Sequence, residues 1–242
     1  MNIIRNASFA AWMIGSLWQL RPMRRGIDRA RAAGDYVTER EEILKATTSW
    51  GSRIVKHYGV TLEVSGETAL PAGPVLFVSN HEAYGDIVMF TAAITNKQFG
   101  FIAKGALGKL PLFGKWILRI RSLFLKRDDA RETLRVFKIG DEYLEEGFSL
   151  VIFPEGTRRL GNPPKPFNRG SFKLATRAEV PIVPVSISGT YDLYEKNGYP
   201  SPGVVKFHIH PAVATTGLRG SESKLCEQVE NTIKSKLEEW TQ

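Results

Sequence analysis

His81 and Asp86 stand five positions apart in the stretch VSNHEAYGDI, where one apolar run (PVLFV) ends and another (IVMFTAAI) begins. A histidine can take a proton near neutral pH. A carboxylate on its other ring nitrogen fixes the tautomer and stabilises the imidazolium. Together they could activate a hydroxyl, and Gly85 permits a turn tight enough for the two side chains to meet. At this spacing the same residues would also serve as a helix cap and a satisfied buried group, so the pair alone does not decide. A second polar stretch, FPEGTRR, also leaves a strongly apolar run. It groups Glu155, Gly156, Thr157 and Arg158: a carboxylate, a backbone that a ligand can approach, and a guanidinium suited to bidentate phosphate binding. The alternative is a turn carrying surface arginines.

Other chemistries lack their residues. Gly85 stands where an H-E-x-x-H zinc pattern starting at His81 needs its second histidine, and no G-x-S-x-G nucleophile elbow occurs. Between Gly108 and Gly114 the spacing is one too long for a phosphate loop, and Trp116 replaces the required Ser or Thr. His208 and His210 share a strand face without an evident third ligand, so they read as structural or surface residues. Cys226 is the sole cysteine. That excludes an intramolecular disulfide or a cysteine metal cluster and fits a reducing compartment. Without an elbow serine or a well-placed cysteine, no carrier for a covalent acyl intermediate is evident.

The elements that must position these residues follow from the hydrophobic pattern. A length of 242 residues with 43% apolar content suits one large α/β domain, or one domain with a small helical appendage. From Val60 onward, strand-like runs (VTLEVSG, PVLFVSN, FGFIAK, SLFLKR, FSLVIF, PIVPVSIS, GVVKFHIHP) alternate with helix-like ones. Helices are expected over about 86–94, from Asp129 and Glu132 to near Gly147, over 169–178, and along a C-terminal face of Leu225, Val229, Ile233, Leu237 and Trp240. The expected fold is α/β, a mostly parallel central sheet flanked by helices. In such sheets sites lie beyond the carboxyl ends of the strands, so the two polar loops are expected to meet.

The N-terminal part differs. SFAAWMIGSLWQL is apolar for about 13 residues, short of the roughly 20 that span a bilayer. It lacks a small-x-small cleavage site and is followed by arginines, unlike a signal peptide. Trp12 and Trp18 favour the water–lipid interface. Arg21, Arg24 and Arg25 would face anionic head groups, each contributing about 1 kcal/mol. The segment reads as an interfacial helix lying in one leaflet, or alternatively as a core helix at a chain terminus. A second helical stretch, 28–58, carries Ile43, Trp50, Ile54 and Tyr58 at helical spacing. The expected division is a two-helix membrane-associated appendage over 1–58 and an α/β domain over 59–242. The net charge of +8 and pI of about 9.6 suit nucleic acid, anionic lipid or phosphorylated substrates. No nucleic-acid motif accompanies the charge. A second basic cluster runs from Lys104 through Lys109, Lys115, Arg119, Arg121 and Lys126 to Arg127.

These stretches resemble the glycerolipid acyltransferases. NHEAYGD matches their N-H-x-x-x-x-D motif, FPEGTR matches F-P-E-G-T-R, and VPIVPVSISGT matches their apolar-proline motif. AKGALGKLPLFGKWI followed by FLKR is similar to their substrate-binding block. The resemblance covers 74–190, and the overall layout is similar to bacterial 1-acyl-sn-glycerol-3-phosphate acyltransferases of the PlsC type, which are described as monotopic. It implies His81 as base and Asp86 as its partner, with direct attack of the sn-2 hydroxyl of lysophosphatidic acid on an acyl thioester and no acyl-enzyme. It implies a phosphate and glycerol site of Lys104, Arg127, Glu155, Gly156, Thr157 and Arg158. In it Glu155 would hold a glycerol hydroxyl or brace Arg158, and amides near Gly156 would stabilise the oxyanion. It implies an apolar tunnel for the acyl tail, acyl-CoA or acyl-carrier-protein as co-substrate, no metal and no bound cofactor. It also implies an anionic membrane surface as partner and a place on the cytoplasmic face of the cell membrane. Arg159, where many members have serine, would add charge beside the phosphate site. Another acceptor, such as glycerol 3-phosphate or a different lysophospholipid, and a non-catalytic membrane-binding module remain as alternatives.

Overall fold

The computed structural model describes residues 2–110, 112–125 and 129–241. Among these, seven strands form one sheet in the order β1-β7-β6-β2-β5-β3-β4. They are β1 (Val60–Gly66), β2 (Leu76–Ser79), β3 (Phe99–Lys104), β4 (Leu123–Leu125), β5 (Ser149–Ile152), β6 (Ile182–Ser188) and β7 (Gly203–Ile209). The central strands β2 and β5 are buried along their whole length, and β6 along all but its last residue, as continuous apolar runs predict for strands covered on both faces. All pairings are parallel except β6 with β7. The connection between those two holds only the four-residue helix α8 (Thr190–Leu193), too short to cross the sheet and return a parallel strand.

Helices cover both faces. On one side α6 (Ala130–Glu145), α7 (Lys173–Ala178) and α9 (Glu222–Glu239) close a core around Leu76, Leu150 and Phe172. Asp129 caps α6 by accepting from the Glu132 amide at 3.0 Å, as the capping pattern predicts. On the other side α4 (Gly85–Ala93) covers an aromatic cluster of Phe77, Phe90, Phe99, Phe101 and Phe207. The substrate-block segment, read only as a motif, folds as a 3₁₀ turn over Gly105–Lys109 and the short helix α5 (Phe113–Arg119).

The N-terminal part departs from the two-helix expectation. Three helices are present, α1 (Asn2–Gln19), α2 (Arg21–Ala32) and α3 (Tyr36–His57). The stretch 28–58 breaks because Gly34 takes a left-handed φ of 68° and Asp35 starts a new helix, accepting from the Thr38 amide at 3.0 Å. α3 ends just before Gly59, and it packs into the core rather than standing apart. Ile43 and Ala46 lie against Phe148. At Gly51 an added Cβ would sit 2.7 Å from the Ala92 amide nitrogen, so α3 crosses α4 at a distance only glycine allows. Part of the expected basic cluster also turns inward. Arg121 pairs with the fully buried Glu39 through two 2.8 Å bonds, and Arg119 pairs with Asp28 at 2.7 Å.

Candidate active site

β2 and β5 are parallel neighbours, so the loops that follow them leave the same end of the sheet. They meet, as expected. Arg159 N donates to His81 O at 2.9 Å, Leu160 N to Glu82 O at 3.1 Å, and His81 N to Glu155 Oε1 at 2.8 Å. Asn80, fully buried, fixes the base of the first loop by exchanging two 2.9 Å bonds with the backbone of Ile187 on β6.

His81 Nδ1 lies 2.7 Å from Asp86 Oδ2, and its ring stacks on Phe153 at 4.1 Å. Asp86 sits in the first turn of α4 and is fully buried. The same Oδ2 accepts from the amides of Glu82 at 2.7 Å and Ala83 at 3.1 Å. Asp86 therefore both closes the turn and holds the histidine, which unites the two readings its spacing allowed. An acceptor-only carboxylate at Nδ1 places the ring proton there and leaves Nε2 as the basic nitrogen. Nε2 has no partner among the described residues, and the side chain is 16% exposed, so a substrate can reach it.

The second loop corrects two expectations, for Glu155 and Arg159, and narrows a third, the amides near Gly156. Glu155 neither holds a free position for a hydroxyl nor braces Arg158. Its oxygens accept from the amides of His81 at 2.8 Å and Lys165 at 3.0 Å, so it ties the loops together. Burial pushes its carboxyl above the usual range, against the pull of those two amides and of Arg159. The Gly156 amide is engaged in a turn to Phe153 O at 3.0 Å, so it is not an oxyanion donor. The left-handed φ of 68° at Gly156 instead leads into Thr157 and Arg158, whose amides have no acceptor among the described residues. Arg159 does not add free charge, since Nη2 pairs with Glu82 Oε1 at 2.7 Å.

Arg158 lies over the Tyr84 ring at 3.6 Å and donates to Glu195 Oε1 at 3.2 Å. Glu195 also accepts from the Tyr84 amide at 2.7 Å, so one carboxylate holds both walls of the cleft. Lys104 ends β3 at the same end of the sheet and is exposed. Arg127 lies outside the described residues. Sequence reasoning missed Glu82, Tyr84, Thr190 and Glu195 as parts of the site. The first two lay within the first motif, and Thr190 closed the apolar-proline motif, but Glu195 has no local signal.

An apolar cavity lies between α1, α3 and α4, the helix that carries Asp86. It is lined by Leu17 and Leu20, Trp50 of α3, Ile87 and Thr91 of α4, and Phe101 of β3. Thr91 keeps the lining apolar by turning its hydroxyl back to Val88 O at 2.8 Å. On the outer surface Trp18 is 58% exposed beneath Arg21, whose guanidinium lies 4.6 Å from the ring, and Arg24 and Arg25 are exposed. Trp12 does not join them. It stacks on His57 at 4.2 Å and is half-buried, because its spacing from Leu20 and Ser16 puts it on the inner side of α1. Among the described residues, no helix is long and apolar enough to cross a membrane, and no three His, Cys, Asp or Glu side chains group as metal ligands would. His208 Nδ1 meets Ser65 Oγ at 2.9 Å and His210 Nε2 meets Ser186 Oγ at 2.8 Å, and burial lowers His210 to about 4.

A base held by a buried carboxylate, on a loop that meets the arginine-bearing one and next to a helix that lines an apolar cavity, suits an enzyme that moves acyl groups. The chain belongs to the acyltransferase family, whose model matches residues 61–188. It is 30% identical over 177 residues to the 1-acyl-sn-glycerol-3-phosphate acyltransferase BAT2, chloroplastic, of Brassica napus, covering 71% of this chain and 49% of that protein. It is 28% identical over 183 residues to the 1-acyl-sn-glycerol-3-phosphate acyltransferase of Borreliella burgdorferi, covering 74% of this chain and 73% of that one. The chain thus spans about half the length of several plant and algal relatives and more of the bacterial one. The crystal structure of the 1-acyl-sn-glycerophosphate (LPA) acyltransferase PlsC from Thermotoga maritima superposes with a TM-score of 0.75 at 27% identity, covering 100% of this chain and 98% of that one.

Proposed function

We propose that the protein transfers a fatty acyl group from an acyl thioester to the sn-2 hydroxyl of 1-acyl-sn-glycerol 3-phosphate, giving phosphatidic acid. The observation that carries this reading is the His81–Asp86 pair, with Nε2 free, facing the loop that bears Arg158. The acceptor class is supported by the names of the relatives. His81 Nε2 takes the proton of the acceptor hydroxyl as that oxygen attacks the thioester carbonyl. Asp86 stabilises the imidazolium that forms. The amides of Thr157 and Arg158 meet the tetrahedral oxyanion. Collapse expels the thiolate, which takes the proton back from His81, so no acyl-enzyme, metal or bound cofactor enters the reaction.

Arg158 holds the acceptor phosphate, with Lys104 adding charge from the carboxyl end of β3; Arg127 joins this reading through the matched motif alone. The cavity accepts an acyl tail. Because α4 carries both Asp86 and the cavity-lining Ile87 and Thr91, the tail and the dyad share one rigid support. The carrier of the donor is CoA or acyl-carrier-protein. Residues 1–58 form the membrane-facing unit, resting on the cytoplasmic leaflet through Trp18, Arg21, Arg24 and Arg25, so that lysolipid enters from the bilayer.

The test is phosphatidic acid formation in anionic vesicles with each donor form, wild type beside His81→Ala. Loss of the base should lower turnover by about 10²–10⁴-fold. Equal turnover by both proteins would remove His81 from this role. A panel including glycerol 3-phosphate and other lysophospholipids checks the acceptor, and turnover of one of those in place of lysophosphatidic acid would reassign it.

A further inference from the structure

The two oxygens of Asp86 are held differently. Oδ2 takes the histidine and two amides, whereas Oδ1 has one partner among the described residues, the hydroxyl of Thr190 at the start of α8. Thr190 is fully buried. Its hydroxyl has one hydrogen to donate, and a second carboxylate competes for it, because Glu82 Oε2 lies 3.0 Å from the same Oγ1. Glu82 is otherwise satisfied. Arg159 Nη2 meets Oε1 at 2.7 Å and the Tyr191 amide meets Oε2 at 3.2 Å. Two carboxylates around one hydroxyl repel unless one is neutralised, and Arg159 neutralises Glu82.

We propose that Thr190 is a positioning residue for Asp86, and that the Arg159–Glu82 ion pair reserves its hydroxyl proton for that carboxylate. This rests on the reading of His81 and Asp86 as the base pair. With Thr190 in place, Asp86 cannot rotate about its Cβ–Cγ bond, and Oδ2 stays aimed at His81 Nδ1. Without the hydroxyl, a buried negative charge loses a donor and holds protons more strongly, so His81 stays protonated up to a higher pH. The other titratable and charged groups around the dyad are Glu82 and Tyr84 from the loop after β2, Glu155, Arg158 and Arg159 from the loop after β5, and Tyr191 and Glu195 from α8 and the turn behind it. A Thr190 substitution leaves all of them in place.

The experiment compares wild type, Thr190→Val, Thr190→Ser, Arg159→Ser and the double variant Arg159→Ser/Glu82→Gln. Ring NMR follows the titration of His81, one of four histidines, and reads the dyad without turnover. Steady-state kinetics with lysophosphatidic acid and an acyl thioester give kcat and KM. Thr190→Val should move the His81 titration midpoint and the acid limb of kcat/KM up by about one pH unit. It should also lower kcat roughly tenfold to a hundredfold with little change in KM. Thr190→Ser should restore both. Arg159→Ser should raise the midpoint too, and the double variant should return it, since the surplus charge is gone. A Thr190→Val midpoint and kcat equal to wild type would overturn the proposal. If that variant does not fold, an unmoved midpoint in folded Arg159→Ser overturns it instead. Full activity in His81→Ala would sink the reading beneath it, whereas an inactive His81→Ala beside a wild-type-like Thr190→Val would sink this inference alone.

Discussion

Asp86 Oδ2 stabilises a turn and orients a base with one atom, and Glu155 does the matching task for the second loop. Glu155 is 8% exposed, and its carboxyl is raised chiefly by burial. A folded-state value above the unfolded one means that the native protein holds this proton more tightly. Its contribution to stability is therefore full below the ordinary glutamate range and is lost as pH rises through the folded value. In denaturant titrations at a series of pH values, the stability of wild type relative to Glu155→Gln should fall as pH climbs from the ordinary carboxylate range toward neutrality. A flat difference would mean that the two amides fully offset the burial. His81, Asp86 and Arg158 were legible because each sat in a polar stretch ending an apolar run. Thr190 and Glu195 were not, since what recruits them is proximity across more than 100 and more than 30 residues of sequence respectively. The role of Glu155 was misread for a related reason, because the backbone amides that occupy it leave no mark on side-chain patterns.

At the scale of elements, the attachment of α2 and α3 to the sheet depends on Glu39. Burial pushes its carboxyl up, but bonds from Arg121 and Arg31 outweigh that and leave it below the usual range. Arg31 reaches it at 2.6 Å and also bonds to Arg119 O, while Arg121 stacks 4.3 Å over Phe148. Removing one member of a buried ion pair strands the others. Glu39→Gln should destabilise the protein by about 3–5 kcal/mol, measured by chemical denaturation, whereas an exposed pair such as Lys45 with Glu42 should contribute under about 1 kcal/mol. The strands were legible because central parallel strands are apolar throughout. Less legible were the break at Gly34 and the direction of β7. The first needs one backbone angle, and the second needs the length of a connection whose short helix has no amphipathic repeat.

At the scale of the whole molecule, the exposed apolar residues Ile3, Ile4, Ile14 and Trp18 and the arginines beside them make the N-terminal surface suited to anionic lipid. Neutralising Arg21, Arg24 and Arg25 together should weaken binding to anionic vesicles by about 3 kcal/mol, roughly a hundredfold. Wild-type binding should itself fall as salt is added. Co-sedimentation checks both, and binding that ignores charge and salt would leave burial of the apolar face as the only attraction. Trp18→Ala should also reduce binding, while Trp12→Ala should act on stability, given its stack on His57.

α1 does more than meet lipid. Leu17 forms part of the cavity wall. Closer to the N-terminus, Asn6 bonds to Gly198 O at 2.8 Å, Phe9 lies 5.4 Å from Tyr194 and Arg5 sits 4.1 Å over Tyr199. Those residues flank Glu195, the carboxylate that grips Arg158. The helix is thus no detachable anchor. A truncation made to ease purification would open one side of the chamber and unseat the loop behind the guanidinium, and inactivity of such a fragment would say nothing about whether the full chain needs a bilayer to turn over.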